Sequence, residues 1–120
     1  MTEIDPEHLY GDDETHPIPF LDRCDINAVK ETGGADLTIV IDSPLPDDQR
    51  SGERLVKKIE NYLGFINAPE FIAESGDPTP DNTNIVVALH ADSAPITFTL
   101  LDKCKPWVLD NNATLVVKHL

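Results

Sequence analysis

Apolar residues recur along this chain with two different periods, and the change of period marks out its elements. Leu37, Ile39 and Ile41 alternate, which is the period of two of a strand with one buried face. Asp25-Ile26-Asn27-Ala28-Val29-Lys30 reads as a preceding strand, with Ile26 and Ala28 on one side. Thr32-Gly33-Gly34-Ala35 lies between them, and glycine accepts the positive φ that hairpin turns demand. A hairpin over about Cys24–Asp42 follows. Ser43-Pro44-Leu45-Pro46 then breaks the strand, and Asp47 and Asp48 are placed to cap a helix. Leu55, Val56, Ile59, Tyr62, Leu63 and Ile66 recur at helical spacing as an apolar stripe. Arg50, Glu53, Arg54, Lys57, Lys58, Glu60 and Asn61 fall on the other side and read as its outward face.

Pro69 opposes continuation of that helix. Glu70–Thr83 reads as a connection, with turn signals at Gly76-Asp77-Pro78 and Pro80-Asp81-Asn82. Phe71 and Ile72 tie its start to the core. Asn84–His90, with its unbroken apolar run Ile85–Leu89, suits a central strand. Ser93 reads as an N-cap and Pro95 as a first-turn residue. The segment from there to Val108 fits a helix that Pro106 kinks or ends. Its Ile96-Phe98-Leu100 alternation also fits a strand. Asp110-Asn111-Asn112 is a turn and Thr114–Lys118 a last strand. The order is strand-strand-helix-strand-helix-strand. Right-handed crossovers then give an α+β fold, a four-stranded mixed sheet with two helices packed on one face.

The chain of 120 residues is expected to form one domain at 23–120. Residues 1–22 differ in composition. Glu3, Asp5, Glu7, Asp12, Asp13, Glu14 and Asp22 all precede the first basic residue, Arg23, and Pro6, Pro17 and Pro19 interrupt regular structure. This stretch reads as an acidic, flexible N-terminal arm, anchored near Ile18, Phe20 and Leu21.

Charge changes the picture most. With 22 carboxylates against nine basic residues the formal net charge is −13. Such a surface disfavours nucleic acid and anionic lipid as direct partners and favours basic proteins, whose encounter it steers. No run approaches the roughly 18 to 20 apolar residues of a membrane span. No basic-then-apolar leader opens the sequence. Cys24 and Cys104 read as two reduced, buried thiols. Together these point to a cytoplasmic protein.

No motif carries chemistry. His8, His16, His90 and His119 are scattered, with none of the spacings of a zinc site, and His8 and His16 fall in the arm. Asp77–Asp81 lacks the ligand alternation of a calcium loop. No serine, threonine or cysteine stands in a recognisable nucleophile context. No cofactor and no catalytic residue is expected, and the protein reads as a non-enzyme. The lone Trp107 reads as covering the core edge or, if exposed, as an interface anchor.

The pattern Asp25-Ile26-Asn27-Ala28, the strand Leu37–Asp42, the helix end Lys58–Ile66 with Tyr62-Leu63-Gly64-Phe65-Ile66, and a Val-rich strand, helix and short last strand carry a resemblance. Over about four-fifths of the chain it is similar to small uncharacterised bacterial domains of polymorphic toxin systems. These include the immunity proteins of contact-dependent growth inhibition. The resemblance implies a protein that neutralises a cognate toxin domain by binding it, and it transfers no residue-level role.

Two readings of function follow. The first is an immunity or antitoxin protein that blocks a basic toxin, a nuclease being the natural class, through an acidic surface. Its expected partner-binding residues are Glu70, Glu74, Asp77, Asp81 and Asp92. The alternative is a small enzyme or ligand-binding domain with a pocket at the strand ends around Asp42, His90 and Asp92. An acidic DNA mimic is a third possibility, which the charge-balanced helix argues against. The oligomeric state is not legible in the sequence.

Overall fold

The structure, a computed structural model, describes residues 9–120. His8 therefore lies outside the described residues, as does the part of the arm before it. Four strands and three helices follow in the order β1 (Ile26–Val29), β2 (Ala35–Ile41), α1 (Gln49–Ile66), α2 (Pro69–Ser75), β3 (Asn84–Leu89), α3 (Pro95–Leu109) and β4 (Thr114–His119). The sheet order is β1-β2-β3-β4. β1 pairs antiparallel with β2, while β2, β3 and β4 are mutually parallel. The α+β fold with a four-stranded mixed sheet is as the sequence implies. The connection read between Pro69 and Thr83 contains one further short helix, α2. α1 stops at Ile66, ahead of Pro69, as expected, and Pro69 then opens α2, because the first helical position needs no N–H donor.

Successive parallel strands are added in one direction, so right-handed crossovers set both long helices on the same side of the sheet. Burial follows this. Leu37, Ile39 and Ile41 of β2, and Ile85, Val87 and Leu89 of β3, have no exposed surface. They form one core with Leu55, Ile59, Tyr62 and Ile66 of α1, Leu101, Cys104 and Val108 of α3, and Phe71 of α2. The intervening residues Asp36, Thr38 and Val40 are only half-buried.

Local chemistry sets the helix ends. Asp48 caps α1 by accepting the Ser51 N–H at 2.6 Å. Ser93 does not cap α3: Ala94 is the N-cap residue, and the buried Ser93 hydroxyl accepts the Leu45 N–H at 3.0 Å. The hydroxyl satisfies a loop amide that has no other partner, and Pro95 at the first helical position needs little help. Pro106 lies inside α3, which continues to Leu109. The carbonyl it deprives is that of Asp102, an exposed residue that water can serve.

The face of α1 read as outward is in part covered. Arg54 and Lys58 are buried, at 0% and 1% exposure. Residues 9–25 lie over them. The Arg54 guanidinium donates to the carbonyls of Leu9, Gly11, Ile18 and Pro19. Lys58 donates to the Phe20 carbonyl at 2.7 Å and to Asp25 Oδ1 at 2.8 Å. Asn61 donates to the Leu21 carbonyl, and Arg50 pairs with Asp13 at 2.7 Å. Arg50, Arg54, Lys58 and Asn61 are thus a second stripe at helical spacing, polar where the first is apolar. It serves the backbone carbonyls of an irregular, proline-broken segment that has no ladder of its own. Ile18 and Leu21 complete the attachment inside the core, where the anchor was expected.

Asp25 joins three parts of the fold. Its Oδ2 accepts the Val40 N–H at 2.9 Å, one step beyond the end of β1, while Oδ1 holds Lys58. Its own N–H donates to the Tyr62 hydroxyl at 2.7 Å. Burial drives the Tyr62 phenol far above its ordinary pKa, so it stays protonated.

Candidate functional site

The strand directions define two ends of the molecule. The amino ends of β2, β3 and β4 lie together, and the carboxyl ends lie about 20 Å away, the length of six residues of strand. α1 and α3 start at the carboxyl end and return to the amino end.

Glu70, Glu74, Asp77 and Asp81 lie at the amino end, on α2 and the loop leading into β3, and all four are exposed. The turn between β1 and β2 is packed against the same loop: Gly34 N–H donates to the Ser75 carbonyl at 2.7 Å, and Lys30 reaches the Asn82 carbonyl at 3.0 Å. That turn brings Glu31 to this end. The end of α3 joins from the other side, where Asn67 donates to the Asn111 carbonyl at 3.1 Å and Asn112 donates to Asn67 Oδ1 at 2.7 Å. Asp110 precedes this turn and is also exposed.

Six exposed carboxylates thus mark the amino end: Glu31, Glu70, Glu74, Asp77, Asp81 and Asp110. None is in an ion pair among the described residues. The cation nearest in the fold, Lys30, is paired with Asp36 at 3.2 Å. The Asn84 side chain, first, and then Lys30 hold the Asp36 carboxyl below its ordinary range.

Asp92 does not belong to this group. It follows β3 and lies at the carboxyl end, with Asp42, Asp47 and Asp48. The expected five-residue surface therefore divides four to one, because a full strand separates Asp81 from Asp92. Glu31 and Asp110 were missed. They lie far from Glu70–Asp81 in sequence, and only the strand order, which sends every β2, β3 and β4 start to one end, brings them there.

The cations explain why the carboxylates dominate the surface. Of nine basic residues, Lys30, Arg50, Lys57, Lys58 and Lys105 are in ion pairs. Arg54 is buried among carbonyls, and Arg23 lies over the Phe20 ring, 4.2 Å from its centroid. Seven of the nine cations are thus engaged within the chain, and Lys103 and Lys118 are exposed with no ion pair among the described residues.

The carboxyl end holds a cleft of about 320 Å³ between the start of α1 and the first half of α3. Its walls include Asp47, Asp48, Gly52, Ile96, Leu100 and Lys103. Asp42, His90 and Asp92, the residues named for a strand-end pocket, do not line it. The His90 ring instead accepts the Asp92 N–H at 3.0 Å and closes its own turn.

Near that end, His16 bridges residues 9–22 and α1. Its Nδ1 accepts the Ile18 N–H at 2.9 Å, and Nε2 lies 2.9 Å from the Ser51 hydroxyl. Because Nδ1 accepts, the proton of the neutral ring sits on Nε2. Burial, reinforced by Arg54 and Arg50, holds its pKa below the usual 6.5.

Cys24 and Cys104 are both free thiols, but Cys24 is exposed rather than buried, because β1 is an open edge strand. Trp107 is half-buried and packs on the edge of the core. Among the described residues, no cluster of His, Cys, Asp and Glu could hold a metal ion, and no helix is long and apolar enough to cross a membrane. No family model, no curated protein and no solved structure matches this chain.

Proposed function

We propose that this protein is a non-catalytic inhibitor, an immunity or antitoxin protein that binds a basic toxin domain through its acidic amino end. The observation that carries the reading is the set of six exposed carboxylates there, none in an ion pair among the described residues, in a fold that engages seven of its nine cations. A basic surface gains from such a partner in two ways. The field raises the rate of encounter, and close charge pairs formed on docking hold the complex, each worth about 1.5 kcal/mol or more where water is excluded. Nuclease domains present basic surfaces because they must attract phosphate, so a carboxylate surface seated there excludes substrate with no chemistry of its own.

The test is co-expression with the toxin domain encoded beside this gene. Wild-type protein restores growth and co-purifies with that domain. The variant Glu70→Gln/Glu74→Gln/Asp77→Asn/Asp81→Asn, folded as wild type by circular dichroism, does neither. Full protection by this variant contradicts the proposal, as does a wild-type protein that binds no basic domain.

A further inference from the structure

The sheet has a second side, and no element of the described chain covers it. Parallel strands are ordinarily covered on both faces, because each crossover helix must lie on one of them. Here both crossovers run the same way, so β2, β3 and β4 are covered on one face only. The register defines the open face. Ile26, Thr38, Val86 and Val116 form one row across the four strands, and Val40 and Ala88 sit beside each other in the next. An open sheet face is normally polar, but this one is mostly aliphatic. Ile26 is 51% exposed, and Thr38, Val40 and Val116 are half-buried. Val86 and Ala88, flanked by strands on both sides, are 7% exposed and stand apart from the main core.

Charge on this face decides where an occupant would sit and of what kind. Asp36 and Lys30 neutralise each other at the amino margin. Lys118, beside Ala88 on β4, is the one cation on the face with no ion pair among the described residues. Beyond the strand ends stand the exposed carboxylates Glu31 and Asp81 on one side and Asp42 and Asp92 on the other. A second copy of this chain would bring the same rim of carboxylates against it. A basic partner would not, and it would avoid Lys118 by lying over β1, β2 and β3.

From this we infer that the open face is a docking surface for an amphipathic basic helix of the partner, laid along β2 with its apolar side on Ile26, Thr38, Val40, Val86 and Ala88. The lengths agree: six-residue strands run about 20 Å, which about 13 residues of helix span. Basic residues at one end of such a helix reach Glu31 and Asp81 at the amino margin. This rests on the proposed basic partner and adds to it an apolar part of the interface, which contributes in proportion to the apolar area removed from water.

Two defined probes separate the apolar face from the acidic end. One is a peptide of about 14 leucines and lysines with leucine on one helical side; the other is polylysine of equal charge. Amide chemical shifts of the full chain report where each binds. The amphipathic peptide moves Ile26, Thr38, Val40, Val86 and Ala88, while polylysine moves residues 70–81. Ile26→Lys/Thr38→Lys, at surface positions where folding is retained, weakens the amphipathic peptide about tenfold or more and leaves polylysine unchanged. Amphipathic-peptide shifts confined to residues 70–81 overturn the docking face and leave the acidic-end reading standing. Concentration-dependent shifts of the same face without peptide show a second copy as occupant and also overturn it. Absence of any shift with either probe overturns both readings.

Discussion

Arg54 donates twice to the carbonyl oxygen of Ile18, from Nε at 2.9 Å and from Nη2 at 2.6 Å. The two residues are 36 positions apart, and the contact is buried. The same guanidinium serves Leu9, Gly11 and Pro19. Among the described residues no carboxylate is paired with it; the negative ends of carbonyl dipoles do that work. The fork geometry matters, since one planar group satisfies several acceptors at once. Arg54→Ala leaves these carbonyls unpaired and is expected to cost about 3 kcal/mol. Arg54→Lys keeps the charge but loses the fork and costs about half as much. Urea midpoints measure both, and amides around residue 18 exchange faster in each variant.

His16 makes the same attachment sensitive to pH. Its folded pKa lies below the unfolded value of 6.5, so between the two the unfolded chain binds more protons and stability rises with pH. The contribution is complete above about pH 6.5 and is lost as pH falls through the folded pKa. Protonation places a hydrogen on Nδ1, where the Ile18 N–H must be accepted. Unfolding midpoints are therefore expected to drop from pH 6.5 downward. His16→Asn, whose amide oxygen accepts the same N–H, flattens that part of the profile. An unchanged slope in the variant assigns the effect elsewhere.

Gly34 is the glycine this fold can least replace. Its φ is +82°, and a Cβ built there would lie 2.2 Å from the Asn82 carbonyl oxygen. Gly33 has a φ of +99°, but a Cβ there would make only an ordinary van der Waals contact, 3.8 Å from the Ser75 oxygen. Gly33→Ala is expected to cost about 1 kcal/mol, for backbone strain alone. Gly34→Ala must also displace the loop that carries Asp77 and Asp81, and costs about 3 kcal/mol. Denaturant titration of the pair gives the comparison, and equal losses contradict it.

The two thiols differ in access. Cys24 is exposed on the edge of the sheet and Cys104 is buried between α3 and the core. Burial pushes both pKa values up, so neither is a ready thiolate. With an aromatic disulfide reagent at neutral pH, native protein is expected to release one equivalent slowly, and unfolded protein two. Fast reaction of both in the native state contradicts the packing of Cys104.

The sheet and both long helices were legible because local signals agreed: strict alternation in Leu37–Ile41, glycines at the β1–β2 turn, an aspartate cap before Gln49. Where two uses of one residue competed, sequence reasoning chose wrongly. Arg54 and Lys58 lie on the polar side of α1, and nothing local distinguishes a solvated cation from one that gathers carbonyls of a distant segment. Ser93 has the chemistry of a cap, but a tertiary partner, Leu45, claims it. Pro69 marks the stop of α1, as read, but it also starts α2, which was read as loop. The acidic surface was half legible: charge and loop composition found Glu70–Asp81, while Glu31, Asp110 and the misplacement of Asp92 depend on strand direction.

The amino end, rather than net charge as such, is what we propose receives a basic partner. Two variants that remove equal charge test it: Asp77→Asn/Asp81→Asn at the amino end and Asp42→Asn/Asp92→Asn at the carboxyl end. The measurement is the association rate with the basic toxin domain proposed as partner, by stopped flow, across ionic strengths from about 0.02 M to about 0.5 M. The amino-end variant is expected to associate about tenfold more slowly at low salt and to show a shallower salt dependence, with the carboxyl-end variant near wild type. Equal slowing in both variants, or none in the first, contradicts the account.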